Sequence, residues 1–342
     1  MRHKKTIRWL VGFLLLLHLA ALLAGFLAPY SPTTQEREFP YAAPTRIHFV
    51  DGSGHFHLRP FVYGVEPSSS DSQISADQLA NVHSLRFMVP GERYPVAGWW
   101  KSNLHLFGVD APGKLFLLGT DGYGRDQFSR LWFGSQISLV TPLVATVISL
   151  GMGVTLGAMA GFWGGWVDEL IMRIAELFVA IPWLYLLFAV RAALPLSISP
   201  VGAFLLLVTV IGTVGWARPA RLIRSVVLTT RQQDFVLAAR AAGATSGSIL
   251  WQHILPQTWG VVVTQAAILI PQYLLAEVTL SFLGIGVPEP TPSWGNMAGS
   301  VQQYSILTSY WWMLIPVIVI IPVMYVYDRL AAALHEPVKS SA

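Results

Sequence analysis

The sequence predicts an all-α polytopic membrane protein with six transmembrane helices and a small β-rich insert between the first two. Of its 342 residues, 54% are hydrophobic and only 12% are charged, about half the charged share of an ordinary soluble domain. Six apolar runs are each long enough to cross a bilayer, with some tilt. A polar and aromatic stretch separates the first run from the other five.

The first apolar run, 9–30, follows the basic head MRHKK. A run of roughly 20 residues spans the ~30 Å hydrocarbon core. The alternative is a secretory signal peptide cleaved after Ala21, Ala24 or Ala28, but its apolar region would cover only about 7–15 residues. We therefore expect residues 1–30 to form a cytoplasmic N-terminus and an uncleaved first transmembrane helix.

Residues 31–118 predict a β-rich extracytoplasmic insert. RIHFV, HFHLRPFVYGV and KLFLLG have the composition of strands, and DGSG between the first two indicates a hairpin. SSSDSQISAD indicates a loop or the start of a short helix. His55 and His57 share one strand face, so they are either metal ligands or part of an aromatic surface strand, and we expect the strand. The absence of cysteine excludes disulfides and thiolate metal sites.

The remaining runs predict a transmembrane domain over 119–334, followed by a cytoplasmic tail, 335–342. Its spans are expected at about 137–162, 168–192, 200–217, 259–284 and 308–328. The loop 218–257 carries five arginines against one aspartate, whereas 193–199 and 285–307 contain no lysine or arginine. This bias places 218–257 and both termini in the cytoplasm.

The segment 234–256, DFVLAARAAGATSGSILWQHILP, predicts two short helices at the membrane face. Gly243 suits a left-handed helix end, and Thr245 or Ser246 can cap the second helix. Leu255-Pro256 is expected to end it. This compact unit either meets a partner or is an interfacial hairpin without one.

The chain shows no catalytic or nucleotide-binding motif. It contains no GxxxxGK[ST] loop, no HExxH and no nucleophile elbow. We expect a non-catalytic subunit with no cofactor, no metal site and no nucleic-acid partner.

Three blocks carry a family resemblance. The first block consists of DFVLAARAAG and HILP, separated by nine residues. It resembles the cytoplasmic loop motif of ABC-transporter permease subunits, and more narrowly that of the dipeptide/oligopeptide/nickel permease family. The blocks at 118–139 and 276–297 resemble the family's segments before span two and after span five. Two positions depart from the wider superfamily: Leu237 replaces a glutamate, and His253 stands where many relatives have isoleucine.

The resemblance implies the type I ABC importer permease fold. It implies ATP-driven uptake of di- or oligopeptides, or a similar small solute, across the cytoplasmic (inner) membrane of a bacterium. The implied partners are a second homologous permease, two cytoplasmic ABC ATPases that bind the ATP, and an extracytoplasmic solute-binding protein, all in or at the lipid bilayer.

The resemblance also implies that the 234–256 segment is a coupling helix seated in an ATPase groove, with Gly243 allowing close backbone approach. The expected coupling residues are Asp234, Leu237, Ala238, Ala239, Gly243, His253, Leu255 and Pro256.

Charged residues in apolar runs are costly and therefore mark function or helix locking. Glu277, with Thr279 and Ser281, either lines the translocation path or fixes the bundle. Glu169, Arg173 and Glu176 are spaced to pair along span three and are expected to lock helices.

The turn GTDGYGRD offers Asp121, Arg125 and Asp126 for local pairing. It either docks the insert onto the membrane domain or contacts substrate, and we expect docking.

Four alternatives stay open. The first is an ABC importer permease for nickel or another non-peptide solute. A stand-alone secondary transporter predicts coupling carboxylates in paired broken helices, and a membrane-embedded enzyme predicts convergent catalytic groups. An exporter is less favoured because the matched motifs belong to importers.

Overall fold

A computed structural model describes residues 2–64, 82–96, 100–182, 185–186, 188–189 and 199–335. Packing divides the chain into two compact units, which are described separately. The first unit comprises Met1–Gly12, Val140–Glu277 and Val323–Ala342, and the second comprises Phe13–Leu139 and Val278–Pro322.

The described helices follow one another in this order: α1 Arg2–Leu22, α2 Ala24–Leu27, α3 Gln127–Trp163, α4 Gly165–Ala180, α5 Pro200–Val214, α6 Ala217–Thr230, α7 Asp234–Ala241, α8 Ser246–Ser248, α9 Trp259–Phe282, α10 Trp294–Gly299, α11 Tyr304–Ser309 and α12 Ile315–His335. Irregular helical turns at Ile249–Ile254 and Leu255–Thr258 join α8 to α9.

Five helical stretches of the described chain are long and apolar enough to cross a membrane: Lys5–Leu22, Gln127–Trp163, Pro200–Thr230, Ser246–Phe282 and Trp311–Leu334. They coincide with five of the six predicted spans, and they establish a helical membrane protein. The predicted span 168–192 starts within α4, but much of its second half lies outside the described residues.

Several predicted boundaries were wrong, among them those of the second and fourth spans. The second span was expected from 137, yet α3 begins at Gln127 and runs for 37 residues through Pro142. The fourth was expected to end near 217, yet α6 continues the helical path to Thr230. Residues 218–230 are therefore helix and not loop.

In the first unit, a glycine stripe on α3 brings this helix close to α6. Methyl groups added at Gly153, Gly157 and Gly161 would lie 2.4–2.9 Å from atoms of α6, including the carbonyl oxygens of Ala220 and Arg224. Small residues four apart allow such close backbone contact between membrane helices. The stripe therefore fixes α6, and with it the start of the segment that leads to α7.

In the second unit, four antiparallel strands form one sheet in the order β1 His48–Val50, β2 Phe56–Tyr63, β3 Val82–Val96 and β4 Trp100–Val109. The hairpin predicted around DGSG is confirmed by the pairing of β1 with β2. Val62, Leu85 and Leu115 form the buried core of the sheet.

The prediction of a third strand at KLFLLG was wrong. KLFLLG has buried Leu115 and Phe116 but no strand pairing, and the longest pair of strands is β3 with β4. The predicted loop SSSDSQISAD lies outside the described residues.

Candidate functional site

The segment 234–256 begins with α7, a separate helix that ends at Gly243. The Gly243 amide donates to the Arg240 carbonyl at 3.0 Å, and the Ala244 amide donates to the Ala239 carbonyl at 3.1 Å. Gly243 has φ +84°. These bonds form a Schellman motif, and the predicted left-handed helix end is confirmed.

A methyl group added at Gly243 would meet nothing within 4 Å. Close backbone approach within this chain therefore does not explain the glycine, whereas its positive φ does.

The second predicted short helix is not a separate element. Thr245 caps it, accepting from the Ser248 amide at 3.3 Å, as predicted. The helical path then continues through π and 3₁₀ turns into α9. Leu255-Pro256 was expected to end the helix; instead, Pro256 lies in the 3₁₀ turn, which suits a residue with no amide hydrogen.

Within the first unit, α7 is held by a narrow buried contact. Val236 is fully buried in a cluster with Ala158, Ile223, Val227 and Ile249, and Ala239 packs at its edge. The cluster joins α7 to α3, α6 and the 249–254 turn. A displacement of α7 is therefore passed to these helices directly.

Residues 234–256 are called the α7 lobe. The faces of this lobe that lie outside the buried contact are exposed and partly apolar. Phe235 and Leu237 are 41% and 48% exposed, and Trp251 is 72% exposed. Asp234 and Ala238 are exposed, His253 is half-buried 6.5 Å from the Phe235 ring, Leu255 packs beside the cluster and Pro256 is exposed. Apolar side chains left uncovered on a rigid helix are typical of a helix-in-groove contact.

α6 is fixed to the neighbouring helices by two arginines. Arg224 makes a bidentate ion pair with Asp168 of α4, and Arg231 donates to the carbonyls of Gly161 and Phe162 at 3.1 and 2.9 Å. The second contact satisfies carbonyls at the end of α3. The prediction for the charged residues of span three was partly wrong. Arg173 and Glu176 pair at 3.1 Å, but on an exposed face. The contact with another helix is made by Asp168.

Replacing Asp168 by alanine is expected to lower the thermal midpoint of the purified chain by several degrees. The change leaves a half-buried guanidinium without its bidentate partner, at a cost of about 1–3 kcal/mol. For a chain of 342 residues, 1 kcal/mol corresponds to about 1.4 °C. The charge-exchanged double variant Asp168→Arg/Arg224→Asp should recover part of the loss. Additive losses in the double variant would contradict the pairing.

In the second unit, the polar turn forms a buried ionic cluster. Arg125 donates to Asp121 at 2.7 Å and to Glu289 at 2.6 Å, and Arg130 donates to Glu289 at 3.0 Å. The predicted local pairing of Asp121 with Arg125 is confirmed. Arg130 and Glu289 were missed, because Glu289 lies 164 residues away from Arg125.

Asp126 has a different environment from Asp121. Its carboxylate accepts from the Ser129 amide and hydroxyl at 2.8 and 2.6 Å. Burial nonetheless raises the pKa of Asp126 to about 7, because a charged carboxylate is poorly solvated there. Asp126 acts as a cap for the start of α3 and does not pair with Arg125.

The three residues of the predicted translocation path all lie on α9. Glu277 is fully buried, Ser281 is 2% exposed and Thr279 is half-buried. Their burial fits either interpretation, a path within an assembled transporter or a contact that fixes the bundle.

The paired histidines of the HFH motif interact with Asp51 and its turn. His57 contacts Asp51 at 2.8 Å, and His55 contacts Ser53 at 2.8 Å. In the part of the chain that the structure describes, no three His, Cys, Asp or Glu side chains come together as a metal site would require.

Five long apolar helices in the described part of the chain define a polytopic membrane protein with an exposed helix, α7, beside them. Residues 153–340 match the family described as binding-protein-dependent transport system inner membrane component, and the chain belongs to this family. It is also a member of the dipeptide/oligopeptide permease group within it, as its relatives indicate.

The chain is 37% identical over 214 residues to the oligopeptide transport system permease protein OppC of Bacillus subtilis, covering 62% of this chain and 68% of that protein. It is 35% identical to the dipeptide transport system permease protein DppC of the same organism, with 64% and 66% covered. The DppC of Alkalihalophilus pseudofirmus is 33% identical, with 68% and 75% covered.

Among solved structures, an amino acid ABC transporter matches with a TM-score of 0.44 and 17% identity, over 59% of this chain and 91% of that one.

Proposed function

We propose that the protein is the permease subunit of an ATP-driven ABC importer for di- or oligopeptides. The observation that carries this proposal is the α7 lobe, a rigid helix with one buried anchor and an uncovered apolar face, in a chain whose relatives are peptide permeases. The subunit itself carries out no catalysis, and ATP is bound by partner subunits.

The α7 lobe is proposed to sit in a groove of a cytoplasmic ATPase subunit. Phe235, Leu237 and Ala238 would enter the groove, while Val236 holds the lobe to α3 and α6. Closure of the ATPases then displaces α7, and the rigid Gly243 junction passes the movement to α9. Such a displacement biases a two-state, inward-open or outward-open equilibrium.

The proposed assembly contains a second homologous permease, two ATPases and an extracytoplasmic solute-binding protein. The chain takes the type I importer fold with six spans, both termini in the cytoplasm, and the β-rich insert on the opposite side. The arginine bias of 218–257 supports this orientation.

The test is ATP-driven uptake by the complex of this chain with its genetically adjacent partners in proteoliposomes. We expect uptake of labelled di- or oligopeptides that requires ATP, both ATPases and the loaded binding protein. Uptake by the chain without ATPases would overturn the proposal in favour of a secondary transporter. Uptake of nickel chelates in place of peptides would keep the importer and correct the solute.

A further inference from the structure

The first unit contains a cavity of about 380 Å³ bounded by α4, the α5–α6 path and α9. This volume lies in the range of small-molecule sites, about 300–1,000 Å³. The walls are mostly aliphatic and aromatic, and the polar groups come from three side chains: Arg218, Gln272 and Tyr273.

The Tyr273 hydroxyl is already committed to the framework of the cavity. It lies 2.8 Å from the Ser149 hydroxyl, which donates to the Gly212 carbonyl at 2.6 Å. A methyl group at Gly215 would lie 1.7 Å from the Tyr273 oxygen. The tyrosine is thus held at the cavity wall, and Arg218 and Gln272 are left to meet a ligand.

Arg218 differs from Arg224, which has a structural role on the same helix, α6. Arg224 is paired with Asp168, whereas the salt bridges of the described chain do not include Arg218. Arg218 lines the cavity and is itself exposed, so an anion that enters the cavity can pair with its guanidinium. The cavity therefore offers one unpaired positive charge next to an apolar space.

We propose that this cavity binds a small solute through its carboxylate, with Arg218 as the anion partner and the apolar walls around an uncharged side chain. The planar guanidinium matches a carboxylate through two parallel hydrogen bonds. Gln272 supplies an amide that can bond a peptide group. The volume suits a residue or two of a peptide, and the proposal rests on the proposed function, since it names the chemistry the permease recognises during import.

An anionic lipid headgroup carries the same charge and must be distinguished from a solute. A carboxylate solute is favoured because three helices bound the cavity and its walls are apolar, which suits a compact ligand with one charged end. The experiment separates the two sources.

The test compares a labelled peptide with its C-terminal amide in the reconstituted complex, with loaded binding protein at saturation. The ratio of the two uptake rates is measured for the wild type, Arg218→Gln and Arg218→Lys. We expect Arg218→Gln to reduce the preference for the free carboxylate about tenfold or more, the usual effect of losing one charged hydrogen-bond partner, and Arg218→Lys to restore part of it.

Arg221→Gln is the matched control, because Arg221 is exposed on the same helix, as Arg218 is, but does not line the cavity. Its acid-to-amide ratio should equal that of the wild type. Equal loss of acid and amide uptake in Arg218→Gln would overturn the site and point to a partner-subunit contact. A lipid headgroup would be indicated instead by a different result. Anionic lipid would then change the uptake rate of the wild type but not that of Arg218→Gln, and the ratio of acid to amide uptake would be the same in both.

Failure of the proposed function gives a different result. A wild-type complex that takes up neither peptide nor amide with ATP would refute the importer itself. Uptake with an unchanged ratio in Arg218→Gln would refute only the carboxylate site.

Discussion

Replacing Gly243 by valine is expected to reduce ATP-driven uptake about tenfold or more while the complex remains assembled. Gly243 has φ +84°, a conformation that a β-branched residue adopts only with strain of about 1–3 kcal/mol. The Schellman bonds from Gly243 and Ala244 are then weakened. α7 would no longer move as one body with the helix that leads to α9, so ATP hydrolysis would continue with little transport.

The measurement is the ratio of solute imported to ATP hydrolysed, with co-purification of the ATPases as the check on assembly. Gly243→Asn should retain most of the ratio, because asparagine tolerates positive φ. Gly247→Val is the steric control: an added methyl at Gly247 also meets nothing within 4 Å, and its φ is not positive. Wild-type coupling in Gly243→Val, or equal losses in Gly243→Val and Gly247→Val, would contradict the assignment.

The sequence predicted the elements whose pattern is local. Apolar runs located the five described spans, the DGSG turn located one hairpin, and Gly243 located the end of α7. Of the two predicted reasons for Gly243, the left-handed helix end is confirmed by its φ of +84°, and the close approach to an ATPase stays a prediction.

Elements held by tertiary contacts were harder to predict. α6 appeared to be a loop because arginines replace the apolar run, yet it buries Ile223 and Val227 and satisfies Arg224 through Asp168. β3 contains Pro90 and Pro95, which argue against a strand. The structure accommodates them beside the irregular pairing between Pro90 and Tyr94.

The candidate site was predictable only where it is continuous in sequence. Residues 234–256 form one lobe, so a motif was enough to find it. The carboxylate of Glu289 and the guanidinium of Arg218 acquire their roles from helices and turns that are distant in sequence. The stripe of Gly153, Gly157 and Gly161 was a local signal that would have predicted the close packing of α3 against another helix.

Replacing Asp121 by alanine is expected to destabilise the second unit strongly. The Asp121 carboxylate accepts from Arg125 Nε at 2.7 Å and from the Tyr123 and Arg125 amides at 2.9 and 3.0 Å. Its loss leaves Arg125 and Arg130, whose side chains are 6% and 1% exposed, with Glu289 as the acidic partner in the cluster. Removing one partner from a buried ionic cluster costs about 3–5 kcal/mol.

Thermal unfolding of the detergent-purified chain measures this cost. A fall in midpoint of about 5 °C is expected, from about 1.4 °C per kcal/mol for a chain of 342 residues. Asp110→Ala is the matched control, because Asp110 pairs with Arg86 at 2.8 Å while both side chains remain more than half exposed, and such pairs contribute about 0–1 kcal/mol. The double variant Asp121→Leu/Arg125→Met should be more stable than Asp121→Ala, since it removes a buried charge together with its partner. Equal midpoints for Asp121→Ala and Asp110→Ala would show that the cluster is solvated and that its charges are free to serve another role.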